Sequence, residues 1–393
     1  MHIELPTDVL FIINKIREFG YRADVVGGAV RDSIIGRELG DFDITTNALP
    51  EKTKEIFAGY RIIDTGIKHG TVTLVIGKAQ YEITTYRIDG GYTDNRHPDS
   101  VSFTSDIVED LARRDFTVNA IAYNPYDGLT DPYGGRSDVD ARIIKAVGDP
   151  RVRFDEDALR ILRALRFSAA LDFDIDDETA EAIRDKYTLL SGVSRERVYT
   201  ELKKLVMGER AINVFREYSE VFSYVLGGIT PSVLPDADLY GKADYLTRLA
   251  SLFYLNSDKP DTLAYETLTM LKTDKHTRER VSSVLGAYNG VGCRGRVDIV
   301  HALAEYGYDV VKGVFDLRRL LADIGNDEYL ILEDIMETDP VYSISQLAVG
   351  GKELMALGYT GEAIGKALKE LLFRVIEGKV ENTKEDLVAS LMT

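Results

Sequence analysis

The 393-residue chain sets 65 acidic against 48 basic side chains, a net charge of −17, with 45% hydrophobic residues and one cysteine, Cys293. That balance argues against broad, non-specific nucleic-acid binding, which draws on many basic side chains, although a local basic surface is compatible with it. A single cysteine excludes an internal disulfide, no apolar run nears the ~20 residues that span a bilayer, and the length suits roughly two to four domains.

Residues 7–19 place Val9, Leu10, Ile12, Ile13 and Ile16 on or near one face, which predicts an amphipathic helix. No basic segment leads into an apolar core there, so no signal peptide is expected, and the reading is a soluble cytoplasmic protein. Residues 21–26 read as a strand that runs into Gly27-Gly28. Without a Cβ, the backbone at these glycines can come close to a ligand. A helix over 29–35 would then aim free N–H groups and its positive dipole end at phosphate. A strand over 41–46 follows. Alternation puts Asp41 and Asp43 on one face, with Phe42 and Ile44 toward the core. Two hard oxygen ligands at that spacing suit Mg²⁺. The competing reading treats them like Asp138/Asp140 and Asp172/Asp174, as solvated turn or cap residues.

Pro50 opens a further helix up to Phe57. His69 reads as structural. Residues 71–76 and 80–87, rich in β-branched and aromatic side chains, predict two strands joined as a hairpin at Lys78-Ala79. Glu82 lies on the second. Beside the Asp41/Asp43 strand it would bring in a third carboxylate; otherwise it faces solvent. A polar loop over 89–100 leads to a helix over 107–113 and an apolar stretch over 116–123. Arginine forks match phosphate oxygens two at a time, and Arg114 is the functional candidate in Arg113-Arg114-Asp115. A structural Arg113–Asp115 pair is the alternative there. Asp131-Pro132-Tyr133-Gly134-Gly135 reads as a turn.

After Pro150 the strand signals largely stop. Residues 155–170, 177–187 and 194–206 read as helices, as does nearly everything beyond. In the first, Asp157, Arg160, Arg163 and Arg166 recur every third residue, with Leu159, Leu162 and Leu165 on the apolar side. A carboxylate beside a guanidinium offers acceptor and donor edges to a base, and the later arginines could hold phosphates. The ordinary alternative is a surface helix laced with ion pairs. The fold class expected is mixed α+β: a small α/β head with a mostly five-stranded mixed sheet, then an elongated all-helical remainder. Weak boundaries lie near 227–235 and 339–340.

Taken together, these segments resemble the bacterial-type (class II) tRNA nucleotidyltransferases of the CCA-adding enzyme and poly(A) polymerase family. Gly27-Gly28-Ala29-Val30-Arg31-Asp32 with Asp41-Phe42-Asp43 is similar to the family's metal and triphosphate motif, and residues 113–120 to its ribose motif. Residues 131–135 resemble its head-to-neck link. Glu156-Asp157-Ala158-Leu159-Arg160 is similar to its base-templating motif, and residues 194–202 to its last neck motif.

The resemblance implies a catalytic head over 1–148, a helical neck over 149–206 that recognises the base, a body over 207–338, and a tail over 339–393 that binds tRNA. It implies that Asp41 and Asp43 hold two Mg²⁺ ions, with Glu82 as a candidate third catalytic carboxylate. Gly28, Arg31, Arg114, Arg163 and Arg166 would line the nucleotide pocket, and Asp157 and Arg160 would read the base. The implied reaction adds C, C and A to the tRNA 3′ end from CTP and ATP. The segment 87–98 looks complete beside relatives that add only C, which favours full addition. A-only or C-only addition and a catalytically silent RNA-binding relative stay open, as do monomer and homodimer.

Overall fold

The computed structural model describes residues 3–38, 40–64, 66–91, 100–338 and 340–392. The chain forms two compact units, Met1–Val225 and Leu226–Thr393. Their boundary lies just before the glycine- and proline-bearing segment 227–235.

The first unit opens with α1 (Thr7–Glu18), whose buried Val9, Ile12, Ile13 and Ile16 form the predicted apolar stripe. Next come β1 (Ala23–Val26), α2 (Gly28–Ile35), β2 (Asp43–Thr46) and α3 (Pro50–Ile56). Strands β3 (Arg61–Ile63), β4 (Thr71–Ile76) and β5 (Ala79–Thr85) precede a two-stranded pair, β6 (Arg87–Asp89) and β7 (Val101–Phe103). Helix α4 (Ile107–Ala112), strands β8 (Ala122–Asn124) and β9 (Gly128–Thr130) and helix α5 (Gly135–Ala141) complete the head. The Asp131 carboxylate accepts from the N–H groups of Gly135 and Arg136 at 2.7 and 2.8 Å, which starts α5 where the turn signal stood.

The main sheet has seven strands in the order β3-β4-β5-β2-β1-β8-β9. It is mixed, as expected, with β2 and β5 parallel and the other neighbours antiparallel. The two edge strands beyond the expected five are three residues long, too short to show a period in sequence. Because β1 and β2 are antiparallel, the end of β1 and the start of β2 meet at one rim, with Val26 opposite Asp43. The start of β8 lies at the same rim, with Ala122 opposite Val26. A core of Val26, Tyr86, Ile107, Leu111, Ala120, Ala122 and Val147 packs beneath it.

The helices after the head are α6 (Pro150–Glu156), α7 (Leu159–Leu171), α8 (Asp177–Lys186), α9 (Arg195–Val206), α10 (Ala211–Glu217) and α11 (Ser219–Val225). The single helix expected over 155–170 is two. Asp157 is extended, at φ −144° and ψ 101°, and its side chain accepts from the Leu159 N–H at 3.1 Å, so the chain stops and restarts there. Arg160, Arg163 and Arg166 share α7, whereas Asp157 stands ahead of it.

Among its described residues the second unit holds ten further α-helices and no strand. Its string Gly290-Val291-Gly292-Cys293-Arg294-Gly295 joins two helices and follows no strand, so it lacks the setting of a dinucleotide loop. No helix among the described residues is long and apolar enough to cross a membrane.

Candidate active site

Three segments converge at the shared rim. Gly27 leaves β1 at φ 76° and ψ −128°, a conformation reserved for glycine, and its N–H donates to the Ile121 carbonyl at 3.1 Å. A Cβ there would meet Arg114 Nη1 at 3.2 Å. The turn therefore needs glycine on two counts, and Gly28 begins α2 directly after it. Beside it, Asp43 opens β2 with its side chain exposed, and Asp41 lies two residues earlier, also exposed and just ahead of the strand. The expected common strand face therefore applies to Asp43 alone.

Surrounding protein pushes the Asp43 carboxyl above its usual range; Arg114 opposes this and the Asp41 charge adds to it. Two aspartates that disfavour each other's charge, flanked by one guanidinium, suit a hard divalent cation. Arg114 is partly buried. Burial lowers its guanidinium against the pull of Asp110, Asp43 and Asp115, and among the described residues its Nε finds no hydrogen-bond partner.

Glu82 sits on β5, where Ile83 pairs with Ile44 of β2, so it is level with Asp43 and exposed. Among the described residues, no three His, Cys, Asp or Glu side chains gather into a metal-binding group.

Behind the rim, a hydrogen-bonded series joins the head to α7 and α9. Arg31 Nη1 donates to Asn119 Oδ1 at 2.5 Å, and its other edge grips Asp32 at 2.9 and 3.1 Å. Asn119 Nδ2 donates to Asp115 Oδ1 at 3.2 Å, and Arg163 Nε donates to Asp115 Oδ2 at 2.7 Å. Burial alone would raise the Asp115 carboxyl, but the Arg163 charge and hydrogen bond, with Asn119 and Arg160, hold it at about 2. Arg166 donates from Nε to the buried Glu201 on α9.

The base-reading candidates are engaged separately. Asp157 Oδ2 accepts from Arg197 Nη2 at 2.8 Å. Arg160 is buried and contacts Glu156 at 2.5 Å and the carbonyls of Arg153 and Arg113 at 3.1 and 3.0 Å.

The structure thus gathers Gly28, Arg31, Asp41, Asp43 and Arg114 in the head, and links Arg163 and Arg166 to them through Asp115 and Glu201. The Arg113–Asp115 pair considered as an alternative does not form. Arg113 Nε donates to the fully buried Asp110 at 2.9 Å, and Asp115 turns to Arg163. Sequence reasoning assigned no role to Asp110 or Phe167, and placed Arg197 and Glu201 only within the segment resembling the last neck motif. Glu201 and Arg197 pair with another helix and Phe167 also draws a cation from α2, and an isolated stretch of sequence gives no sign of such partners. His69, exposed, accepts from Arg87 through its backbone carbonyl.

A family model described as the poly A polymerase head domain matches residues 23–145. Another, a probable RNA and SrmB-binding site of polymerase A, matches 172–221, and a putative tRNA nucleotidyltransferase domain 2 matches 247–391. The CCA-adding enzyme of Lactobacillus delbrueckii subsp. bulgaricus is 35% identical over 390 residues, covering 97% of this chain and 96% of its own. That of Streptococcus suis is also 35% identical, covering 97% and 95%. The crystal structure of the Bacillus stearothermophilus CCA-adding enzyme in complex with CTP superposes with a TM-score of 0.83 at 32% identity, covering 98% of this chain and 96% of that one.

Fold and site together define a nucleotidyltransferase head joined to a helical remainder. More narrowly, the chain belongs to the bacterial-type CCA-adding tRNA nucleotidyltransferases, within the tRNA nucleotidyltransferase and poly(A) polymerase family, whose members are generally metal-dependent.

Proposed function

We propose that this chain adds C, C and A to the 3′ end of tRNA from CTP and ATP. The observation that carries the reading is the single rim shared by Gly27-Gly28, Asp41, Asp43 and Arg114, in a chain aligned over nearly its whole length with CCA-adding enzymes. That rim suits a triphosphate: the start of α2 offers backbone N–H groups, and the Arg114 guanidinium lies beside Gly27.

Asp41 and Asp43 are the residues that would hold Mg²⁺. When bound, the ions would neutralise the triphosphate and favour the ionised form of the attacking hydroxyl. Glu82, level with Asp43 on the next strand, is the third carboxylate and takes the proton from the tRNA 3′-hydroxyl. That oxygen attacks the α-phosphorus in line, the bond to the β-phosphate oxygen breaks, and pyrophosphate leaves. Gly28, Arg31, Arg114, Arg163 and Arg166 position the nucleotide, so the chain contributes mainly orientation and charge. Asp157 and Arg160 read the Watson–Crick edge of the incoming base. Each carboxylate oxygen of Asp157 has a further lone pair beyond those given to Leu159 and Arg197. Residues 1–148 act as head, 149–206 as neck, 207–338 as body and 339–393 as the tail that grips tRNA. The notion that an intact segment 87–98 favours full addition concerns residues of which 92–98 lie outside those described.

The test is product length. Purified protein with Mg²⁺, CTP, ATP and tRNA trimmed of its 3′ end should give tRNA three nucleotides longer. Products that stop after C narrow the activity to C addition, incorporation of A alone narrows it to A addition, and no incorporation of either nucleotide refutes the proposal.

A further inference from the structure

We propose that Phe167 is a positioning residue for nucleotide binding, its ring setting the spacing of three arginines that face the triphosphate. This rests on the reading of Arg31, Arg163 and Arg166 as nucleotide-pocket residues.

Phe167 lies on α7 and is 7% exposed. The Arg166 guanidinium carbon is 3.8 Å from its ring centroid, a stacking distance; those of Arg31 and Arg163 are at 5.3 and 5.4 Å. Three cations from two helices thus surround one ring within the range over which an aromatic quadrupole attracts them. The ring is itself fixed, with Phe116 meeting it edge-on at 5.8 Å and 79°.

Ion pairing draws Arg163 and Arg166 to Glu201, but it does not bring Arg31 to the same ring. Arg31 is held by Asp32 and Asn119, and Arg163 by Asp115. Arg166 donates to Glu201 from Nε; among the described residues its two terminal nitrogens make no hydrogen bond. Asp32, Asp115 and Glu201 balance the three charges, and the ring sets how the guanidinium groups lie relative to one another. Against its face they stay together, and the free edge of Arg166 remains available to phosphate oxygens, which accept two N–H groups at once.

The experiment separates aromatic spacing from simple packing. Phe167→Met and Phe167→Leu keep apolar volume and lose the ring, while Phe167→Tyr keeps it; such volume-conserving swaps are tolerated by most cores. Inorganic tripolyphosphate, an anion without a base, serves as competitive probe of nucleotide incorporation, and thermal melts monitor folding. The Met and Leu variants should raise the tripolyphosphate inhibition constant, and the KM for CTP and ATP in equal proportion, by about tenfold. Their kcat should stay within about twofold, the mark of lost uniform binding. The Tyr variant should match the wild type. A Met variant that binds like the wild type, a Tyr variant that does not, or unequal shifts for CTP and ATP would overturn the proposal. So would a Met variant that fails to fold, since the ring would then be holding the fold rather than the arginines. Wild-type protein that incorporates no nucleotide would instead refute the underlying functional reading.

Discussion

Arg163 Nε donates to Asp115 Oδ2 at 2.7 Å across 48 residues of sequence, tying the segment that leads into β8 to helix α7. Asp115 is 8% exposed, and its other oxygen accepts from Asn119, which in turn receives Arg31. One carboxylate therefore fixes the relation between the glycine-opened helix and the arginine helix.

Removing that carboxylate should destabilise the fold. Asp115→Ala leaves Arg163 without its main partner. Breaking a buried pair costs about 3–5 kcal/mol, and discounting for an Arg163 side chain that is one-third open to water brings this to about 2–3 kcal/mol. Urea unfolding should show a lower midpoint by that measure; a loss below about 0.5 kcal/mol would mean the pair is not coupled to folding.

The same pair gives a pH signature. The folded-state pKa of Asp115, about 2, is depressed below the ordinary 3.8. Its contribution is thus present above pH about 4 and is lost as the pH falls toward about 2. The wild type should lose stability through that window more steeply than Asp115→Asn. Parallel acid-unfolding curves would contradict the assignment.

At Gly27 the prediction concerns backbone as well as contact. Gly27→Ala forces a side chain into a glycine-only conformation and sets its Cβ 3.2 Å from Arg114 Nη1. The expected cost is about 1–3 kcal/mol of stability, with a raised KM for CTP and ATP as Arg114 is displaced. Unchanged kinetics would remove Arg114 from the nucleotide site.

Base choice is tested at the neck. Asp157→Ala should weaken discrimination of CTP and ATP from GTP and UTP by about 1–3 kcal/mol, the worth of a bidentate base contact. Relative kcat/KM values measure it directly. Equal discrimination in the variant would locate base reading elsewhere.

The mixed α+β class was legible because it rests on local signals: the β-branched and aromatic runs of β4 and β5, the 3.6-residue period of α1, and the Gly-Gly break before α2. What sequence did not reveal was three-dimensional pairing. The apolar steps Leu159, Leu162 and Leu165 continue the pattern of a single helix, so nothing marked the stop at Asp157 until its carboxylate was seen to cap Leu159. Arg113 and Asp115, two apart, invited a local pair, yet the strand–turn geometry sends Asp115 to α7 and Arg113 to Asp110. Phe167 carried no signal in sequence, because one of its cations comes from a helix over 130 residues away.

The central claim is that the paired aspartates hold the ions on which transfer depends. Its most direct measurement is the rate of CTP incorporation by Asp43→Asn beside the wild type, with thermal melts of both. The Asp43 carboxyl is raised in the folded state, so at neutral pH its charge costs stability that the amide does not. We expect incorporation to fall by more than about a thousandfold while the melting temperature stays level or rises. Incorporation within about tenfold of the wild type would contradict the account.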